Sequence, residues 1–569
     1  MSERRPTVTV VISTYNQPDW LEKVLWGFLT QSIQPDEIIV ADDGSTMETA
    51  ALIERARTEL LLPIEHLWHE DRGFRKNVIL NRAIASARGD YLIFTDGDCI
   101  PRRNFVETHL SLARPNRFLS GGCIRLPRVV AQAIEFDDVR TGRAFQVEWL
   151  RRQGVRNVRR VMRLRYSPWR ARISDACTPT RATWNGHNSS TWKHLLLRVN
   201  GFDERMGYGG EDRELGERLI RAGVRPRQIR HRALCLHLDH DRGYVDQCRL
   251  VFNRMLRRHN KRKRVPTTIA GIHNRLPLTA NGALPVSLVV MTKNEERSLA
   301  RCLDSVSWAA EKLVVDCGSE DRTVQVAEGH GARVISSAWR GYGKQRNFAA
   351  MQATHDWILM LDADQWLTPE LAAELEILLP DLVSSRAAAV LLPMTATYAG
   401  RELRYYRSMV RKPKPRFYHR RRARWTEPPI HERLDATGLI QRARHEVLNE
   451  VCTSAYDHQR RLLTYAELKV GDCPAPTRRQ SSWVLPFIYP AVFAKKFLLQ
   501  LALLDGARGF ILAHNEAQYT VFKRIRLFER TRLQREFGSA KGAFPRALKR
   551  SLSSGGGSGL EQTRSSSDR

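Results

Sequence analysis

The sequence predicts an α/β chain in which one layered unit occurs twice, each unit a mostly parallel sheet covered by helices, with amphipathic helices at the carboxyl end. Three observations predict it. Apolar runs ending in polar turns recur in the same order in both halves, and segments of helical period lie between them. The spacing of polar marks is also kept: Asn81 to Asp96 and Asn347 to Asp362 each span 15 positions. Strands alternating with helices form parallel sheets with both faces covered, and such sheets hold ligands beyond the carboxyl ends of their strands.

In chain order, Val8 to Asn16 (VTVVISTYN) returns as Val286 to Asn294 (VSLVVMTKN), each a buried strand feeding a loop. Ile38 to Ser45 (IIVADDGS) returns as Leu313 to Ser319 (LVVDCGS), and Tyr91 to Asp98 (YLIFTDGD) as Trp357 to Asp364 (WILMLDAD). Helices are expected over Trp20 to Thr30, Met47 to Leu60 and Phe74 to Ala87, then over Glu295 to Trp308, Asp321 to Glu328 and Lys344 to Ala353. The predicted units are 1–256 and 285–535. Between them 257–284 reads as a linker that opens with the basic run Arg257 to Arg264 and continues rich in Gly, Pro and Asn. Residues 536–569 are low in apolar side chains and predict a disordered tail.

The 569 residues are 42% hydrophobic and 27% charged, a globular composition with a formal charge of +31 that attracts polyanions. Nine scattered cysteines form no C-x-x-C pair, so neither a zinc site nor a disulfide framework is expected. No apolar signal segment precedes Thr7, and the expected compartment is the cytosol. No nucleic-acid module is recognisable, and no nucleic-acid partner is expected.

The sharpest chemical mark is Asp96-Gly97-Asp98, repeated as Asp362-Ala363-Asp364. Two carboxylates separated by one small residue can both reach a divalent cation, and Mg²⁺ or Mn²⁺ held in this way bridges phosphate oxygens such as those of a leaving nucleoside diphosphate. A lone Asp-Gly is an ordinary turn; its recurrence at the same strand end points to function. In the first half, Gly209-Gly210-Glu211-Asp212 opens a helical stretch, which puts two acids at a helix amino terminus facing the ligand edge.

Thr14-Tyr15-Asn16, Asp42-Asp43-Gly44-Ser45, Asn81, Asp96-Gly97-Asp98 and the Gly-Gly-Glu-Asp run resemble family-2 glycosyltransferases of the Rossmann-like GT-A fold. The first half is most similar to the amino-terminal transferase domain of bacterial chondroitin polymerases. The resemblance implies a UDP-sugar donor and a Mn²⁺ or Mg²⁺ cofactor, with Thr14, Tyr15, Asn16, Asp42, Asn81 and Asp96 toward the nucleotide. It implies Asp98 and His237 on the metal, with His240 a further candidate, Asp212 as catalytic base and Glu211 as an acceptor or sugar contact. The second half keeps Asn294, Asp316, Arg346, Asn347, Asp362 and the metal candidate Asp364, but has Cys317 where the first has Asp43.

The second half lacks Gly-Gly-Glu-Asp and carries Trp425 to Glu432 (WTEPPIHE). With Phe497 to Phe528 this resembles lipopolysaccharide inner-core beta-1,4-glucosyltransferases acting on heptose, and implies His431 or Glu432 as metal ligand or base. Within 483–530, Trp483 to Leu504 reads as an interfacial helix rather than a span, because Lys495 and Lys496 fall mid-segment; Phe493, Phe497, Leu501 and Leu504 share one predicted face, with Lys496 opposite. The expected function is a bifunctional inverting hexosyltransferase acting on a lipid-linked anionic glycan, the lipopolysaccharide core, while peripheral on the anionic cytoplasmic face of the inner membrane. A two-site polymerase of an alternating polysaccharide, and a chain with one degenerate half, remain open alternatives.

Overall fold

The computed structural model describes residues 5–156, 158–240, 245–274, 276, 283–427, 432–452, 454–472 and 484–536. The first sheet has seven strands in the order Ile64–Trp68, Glu37–Asp42, Val8–Thr14, Tyr91–Asp96, Ser189–Trp192, Arg117–Ser120, Arg225–Gln228. Its first four are parallel. Every residue of Val8–Thr14 is buried, as an apolar strand covered on both faces must be. One apolar cluster, including Val10, Leu25 and Ile93, fills one side of the sheet, and a second, including Val11, Leu80 and Phe94, fills the other.

The second sheet opens with the same order, Arg333–Ser336, Ala309–Asp316, Leu284–Thr292, Trp357–Asp362, before continuing with antiparallel Lys412–His419. The repeat holds to single residues. Thr14 pairs with Asp42 and Ser13 with Asp96; Thr292 pairs with Asp316 and Met291 with Asp362. Both acid pairs therefore emerge at the carboxyl edge of a sheet, beside the end of its central strand.

Three elements then bring distant chain to that edge. A small sheet of Cys99–Pro101, Leu234–Leu238 and Gly122–Leu126 sets His237 opposite Cys99 and so beside Asp98. Asn81 grips the backbone of Phe202 from both sides, its Oδ1 accepting from the amide at 2.7 Å and its Nδ2 donating to the carbonyl at 3.0 Å. Gly201, at φ +69°, is required there because a Cβ would stand 2.2 Å from that Oδ1. Asn347 holds Trp425 in the same two-sided way, at 3.0 and 2.8 Å. In each half the clamped aromatic leads into the acidic segment that follows.

Four expectations change. The helix expected over Glu295 to Trp308 shrinks to Leu299–Asp304, because the amides of Glu295 and Glu296 donate instead to Thr323 Oγ1 and Asp321 Oδ2. Arg257 to Arg262 end the helix Gln247–Arg262 and do not open a linker. That helix packs on Pro369–Ser384 of the second half through Phe252 and Leu256 against Ala373 and Ile377, with Met206 in the same cluster, and Arg249 makes a bidentate ion pair with buried Glu376 at 3.1 and 3.2 Å. Chain beyond it still belongs to the first unit: Thr268 donates to Asp203, and Asn200 to the carbonyls of Thr268 and His273. The expected interfacial helix breaks at Leu501 (φ 62°), and its two arms, Leu485–Leu499 and Ala502–Glu529, meet at 70°. Phe493 and Phe497 turn inward onto Phe510, and Lys496 pairs with Glu516 instead of facing away, while Leu504 is 55% exposed. Among the described residues no single helix is long and apolar enough to cross a membrane. The tail beyond Glu536 lies outside them.

Replacing Asn81 by Ala strips a buried amide and a buried carbonyl of their partners at once. The expected loss is about 2–4 kcal/mol, read as a lower urea midpoint at unchanged slope, and Asn347→Ala should behave alike.

Candidate active site

A cavity of about 760 Å³ opens at the carboxyl edge of the first sheet, lined among others by Thr14, Tyr15, Asn16, Asp43, Lys76, Asp96, Asp98, Glu211, Asp212, His237 and His240. Strand ends supply the first residues and the helix Glu211–Arg221 the acids. Gly210 precedes that helix at φ 96°, a left-handed turn that suits glycine and tips Glu211 and Asp212 toward the opening.

Lys76 Nζ stands 2.7 Å from Asp96 Oδ1, and Ser13 donates to the same oxygen at 2.7 Å. Burial alone would raise the Asp96 carboxyl; Lys76 outweighs it and holds the group well below the usual range. Asp212 has no such partner. Burial and then Glu211 push it up to about 7, against the pull of Lys76. Its Oδ1 is buried without a hydrogen bond, a free acceptor in a cavity wall.

Asp98 Oδ2 lies 3.0 Å from His240 Nε2 and 3.7 Å from His237 Nε2. A carboxylate flanked by two imidazoles offers oxygen and nitrogen donors of the kind a divalent ion takes. Cys99 lies close enough to join them, but burial pushes its thiol far up and it donates to Asp98 Oδ1 at 3.2 Å, so it is a neighbour and not a ligand.

Several residues expected at the nucleotide also hold the framework. Asp42 is fully buried, with Oδ1 accepting from the Ser45 amide at 2.8 Å and Oδ2 facing His66 Nε2 at 3.0 Å; Asp43 is the acid that lines the cavity. Asp316 likewise accepts from the amides of Gly318 and Ser319. Asn16, although at the cavity wall, and Asn294 pin the following loop identically, each accepting from an amide (Thr46, Glu320) and donating its own backbone N–H to a serine (Ser45, Ser319). Both stand at positive φ, 48° and 57°, which asparagine tolerates. Asn81 and Asn347 are the clamps described above. These are strong sequence signals because the turn needs them; of the first-half residues, Asp42 and Asn81 stand back from the cavity wall and Asn16 is part of it.

In the second half Asp362 is gripped by Arg416 Nη2 at 2.6 Å, Arg346 Nη2 at 3.2 Å and Gln365 Nε2 at 2.8 Å. Burial is opposed by Arg416 and then Arg346, and the carboxyl sits at about 2. Buried Arg346 also faces Glu432 at 3.4 Å and lies over the Trp425 ring. Asp364 is pushed up to about 7 by burial, Asp362 and Glu295, an accumulation of negative charge that also fits a cation. His431 lies outside the described residues. Lys76 and Arg416 were not foreseen: the equivalent of Lys76 in the repeat is Tyr342, and Arg416 sits inside a basic run that reads as solvated. Only the antiparallel pairing of Lys412–His419 with Trp357–Asp362 carries Arg416 inward.

The model of "Glycosyl transferase family 2" matches residues 9–131 and 287–448, and that of the "N-terminal domain of galactosyltransferase" matches 178–241. An uncharacterized glycosyltransferase of Rickettsia typhi is 38% identical over 116 residues, covering 20% of this chain and 40% of that protein. The chain thus spans less than half the length of that relative. Chondroitin synthase of Escherichia coli is 25% identical over 405 residues, 64% of this chain and 55% of the other. The lipopolysaccharide core biosynthesis glycosyltransferase LpsC of Rhizobium meliloti is 27% identical over 261 residues, 44% of this chain and 94% of the other.

The raised Asp212 carboxyl carries a sign. The fold keeps it protonated to about 7, whereas the unfolded chain releases the proton near the ordinary aspartate value of about 4. The fold therefore binds more protons in that window, and Asp212 withdraws stability as pH rises through it. Asp212→Asn should raise Tm relative to the parent at pH 8 and much less at pH 4.5; an equal shift at both would refute the assignment.

Proposed function

Because the chain belongs to glycosyl transferase family 2, whose model covers half of it, we propose that it is a bifunctional inverting hexosyltransferase, each half using a nucleotide-sugar donor, most simply a UDP-sugar. The observation that carries this reading is the acid pair at one strand register in both halves. In the first, the unpaired Oδ1 of Asp212 lines the same cavity.

A divalent ion held by Asp98, His237 and His240 would supply neutralisation of the departing diphosphate. The residues of the chain do the rest. Asp212 Oδ1 accepts the proton of the acceptor hydroxyl as that oxygen attacks the anomeric carbon opposite the diphosphate. Glu211 keeps Asp212 basic, and Lys76 keeps Asp96 ionised. Thr14, Tyr15 and Asp43 offer polar groups to the nucleoside at the near wall. In the second half Arg346 and Arg416 take the place of Lys76, and Glu432, beside Arg346, is the base candidate.

The acceptor is a lipid-linked anionic glycan, the lipopolysaccharide core, met at the cytoplasmic face of the inner membrane. Supporting this are the +31 charge, the likeness of the second half to LpsC, and an exposed apolar elbow of Phe487, Leu498, Leu499, Leu503 and Leu504. The likeness to chondroitin synthase favours a second reading, a two-site polymerase.

With Mn²⁺ and a panel of UDP-sugars the chain should release UDP, and Asp96→Ala with Asp362→Ala should abolish release. Undiminished release by the double variant would sink the assignment. In an Asp362→Ala background, which leaves only the first half, the rate should climb with pH through about 7 as Asp212 ionises. Asp212→Asn should lower it by about 10²–10⁴-fold. For a polymerase, Asp212→Asn or Glu432→Gln alone would halt the product after one sugar.

A further inference from the structure

A second cavity of about 560 Å³ adjoins the first, and the two share Arg125, His187, Gly210, Asp212 and Arg213 in their walls. Asp212 thus stands at the junction. Six arginines line the second cavity, Arg125, Arg160, Arg163, Arg181, Arg213 and Arg230, against a single carboxylate, that of Asp212.

Apart from Arg160, these guanidiniums are not spent on ion pairs. Arg163 is nine-tenths buried and anchored by carbonyls, donating to Cys123 at 2.7 Å and to Arg160 at 3.1 Å. Arg230 donates to the hydroxyl of Thr180 at 3.2 Å. Among the described residues no carboxylate lies within ion-pair distance of Arg125, Arg163, Arg181, Arg213 or Arg230. Burial, then Arg230, draws the Arg163 guanidinium below its ordinary value, the mark of a cation held among cations in a partly dry place. Gathering like charges around a hollow costs stability unless an anion enters, and guanidinium is the side chain whose paired N–H groups match an oxyanion.

We propose that this cavity is the acceptor site of the first half and that it selects an acceptor sugar bearing an oxyanion, a phosphoryl or carboxylate substituent, seated on Arg163, Arg181 and Arg230. The assignment rests on the transferase reading and adds to it the charge of the substrate and the residues that read it. An anion fixed there orients the sugar so that its free hydroxyl faces Asp212, while the donor occupies the other side. A neutral sugar of the same shape has nothing to offset the clustered arginines.

Calorimetric titration of the full chain with inorganic phosphate, a hexose 6-phosphate, a hexuronate and a neutral methyl hexoside tests this. The expected result is binding of the phosphate probes, the hexuronate or both, none of the neutral sugar, and additivity with saturating UDP–Mn²⁺. Which probe binds identifies the oxyanion. Arg181→Gln/Arg230→Gln, both on the cavity wall and outside the buried core, should weaken anion binding by about tenfold or more and leave UDP–Mn²⁺ binding unchanged. Arg163→Lys, which keeps charge and loses the fork, should weaken it too. Anion binding that is absent, untouched by Arg181→Gln/Arg230→Gln, or abolished by UDP overturns the proposal. A chain that binds UDP but no anion overturns it alone; a chain that binds neither overturns the transferase reading with it.

Discussion

One half-buried ammonium sets the charge state of the first cavity. Lys76 is surrounded by Asp96, Glu211 and Asp212, and despite burial these three hold its proton firmly. Three acids cannot share one cation equally. Asp96, in contact at 2.7 Å, takes the greater part and stays ionised, while Asp212 is left to the low dielectric and to Glu211. Two carboxylates with opposite tendencies arise from position around one nitrogen, which is how a single cavity can hold a permanent anion beside a proton acceptor.

The second half reaches a related balance with different residues. Two guanidiniums on Asp362 replace one ammonium on Asp96, one from the same helix as the Asn347 clamp and one from an incoming antiparallel strand. The strand registers and the loop pins are shared atom for atom; the cations and the acids that follow the clamp are not. Backbone geometry constrains the first set, whereas a counter-charge can be delivered from any element that reaches the spot.

That distinction explains what could be read from sequence. The parallel core strands and the acid pairs were legible, since both rest on apolar runs that recur with the same polar ends in the two halves. The recurring asparagines were legible as important but not as framework: nothing in a string of letters tells that Asn81 turns toward Phe202. Lys76 lay in a helix with no motif, and Arg416 in a basic run whose inward register depends on a pairing made by chain more than fifty residues from Asp362. The elbow at Leu501 escaped a helical-wheel reading because the wheel assumes a continuous helix, and the residue at the break carries no Gly or Pro signal.

The helix Gln247–Arg262 joins the two halves by packing as well as by chain. Phe252 and Leu256 are shared apolar core with Ala373 and Ile377, and the stem of Arg249 lies against Gly207 just ahead of the Gly-Gly-Glu-Asp turn. The junction is thus a common wall, not a tether. Either half taken alone would present that wall, Phe252 and Leu256 or Ala373 and Ile377, to water.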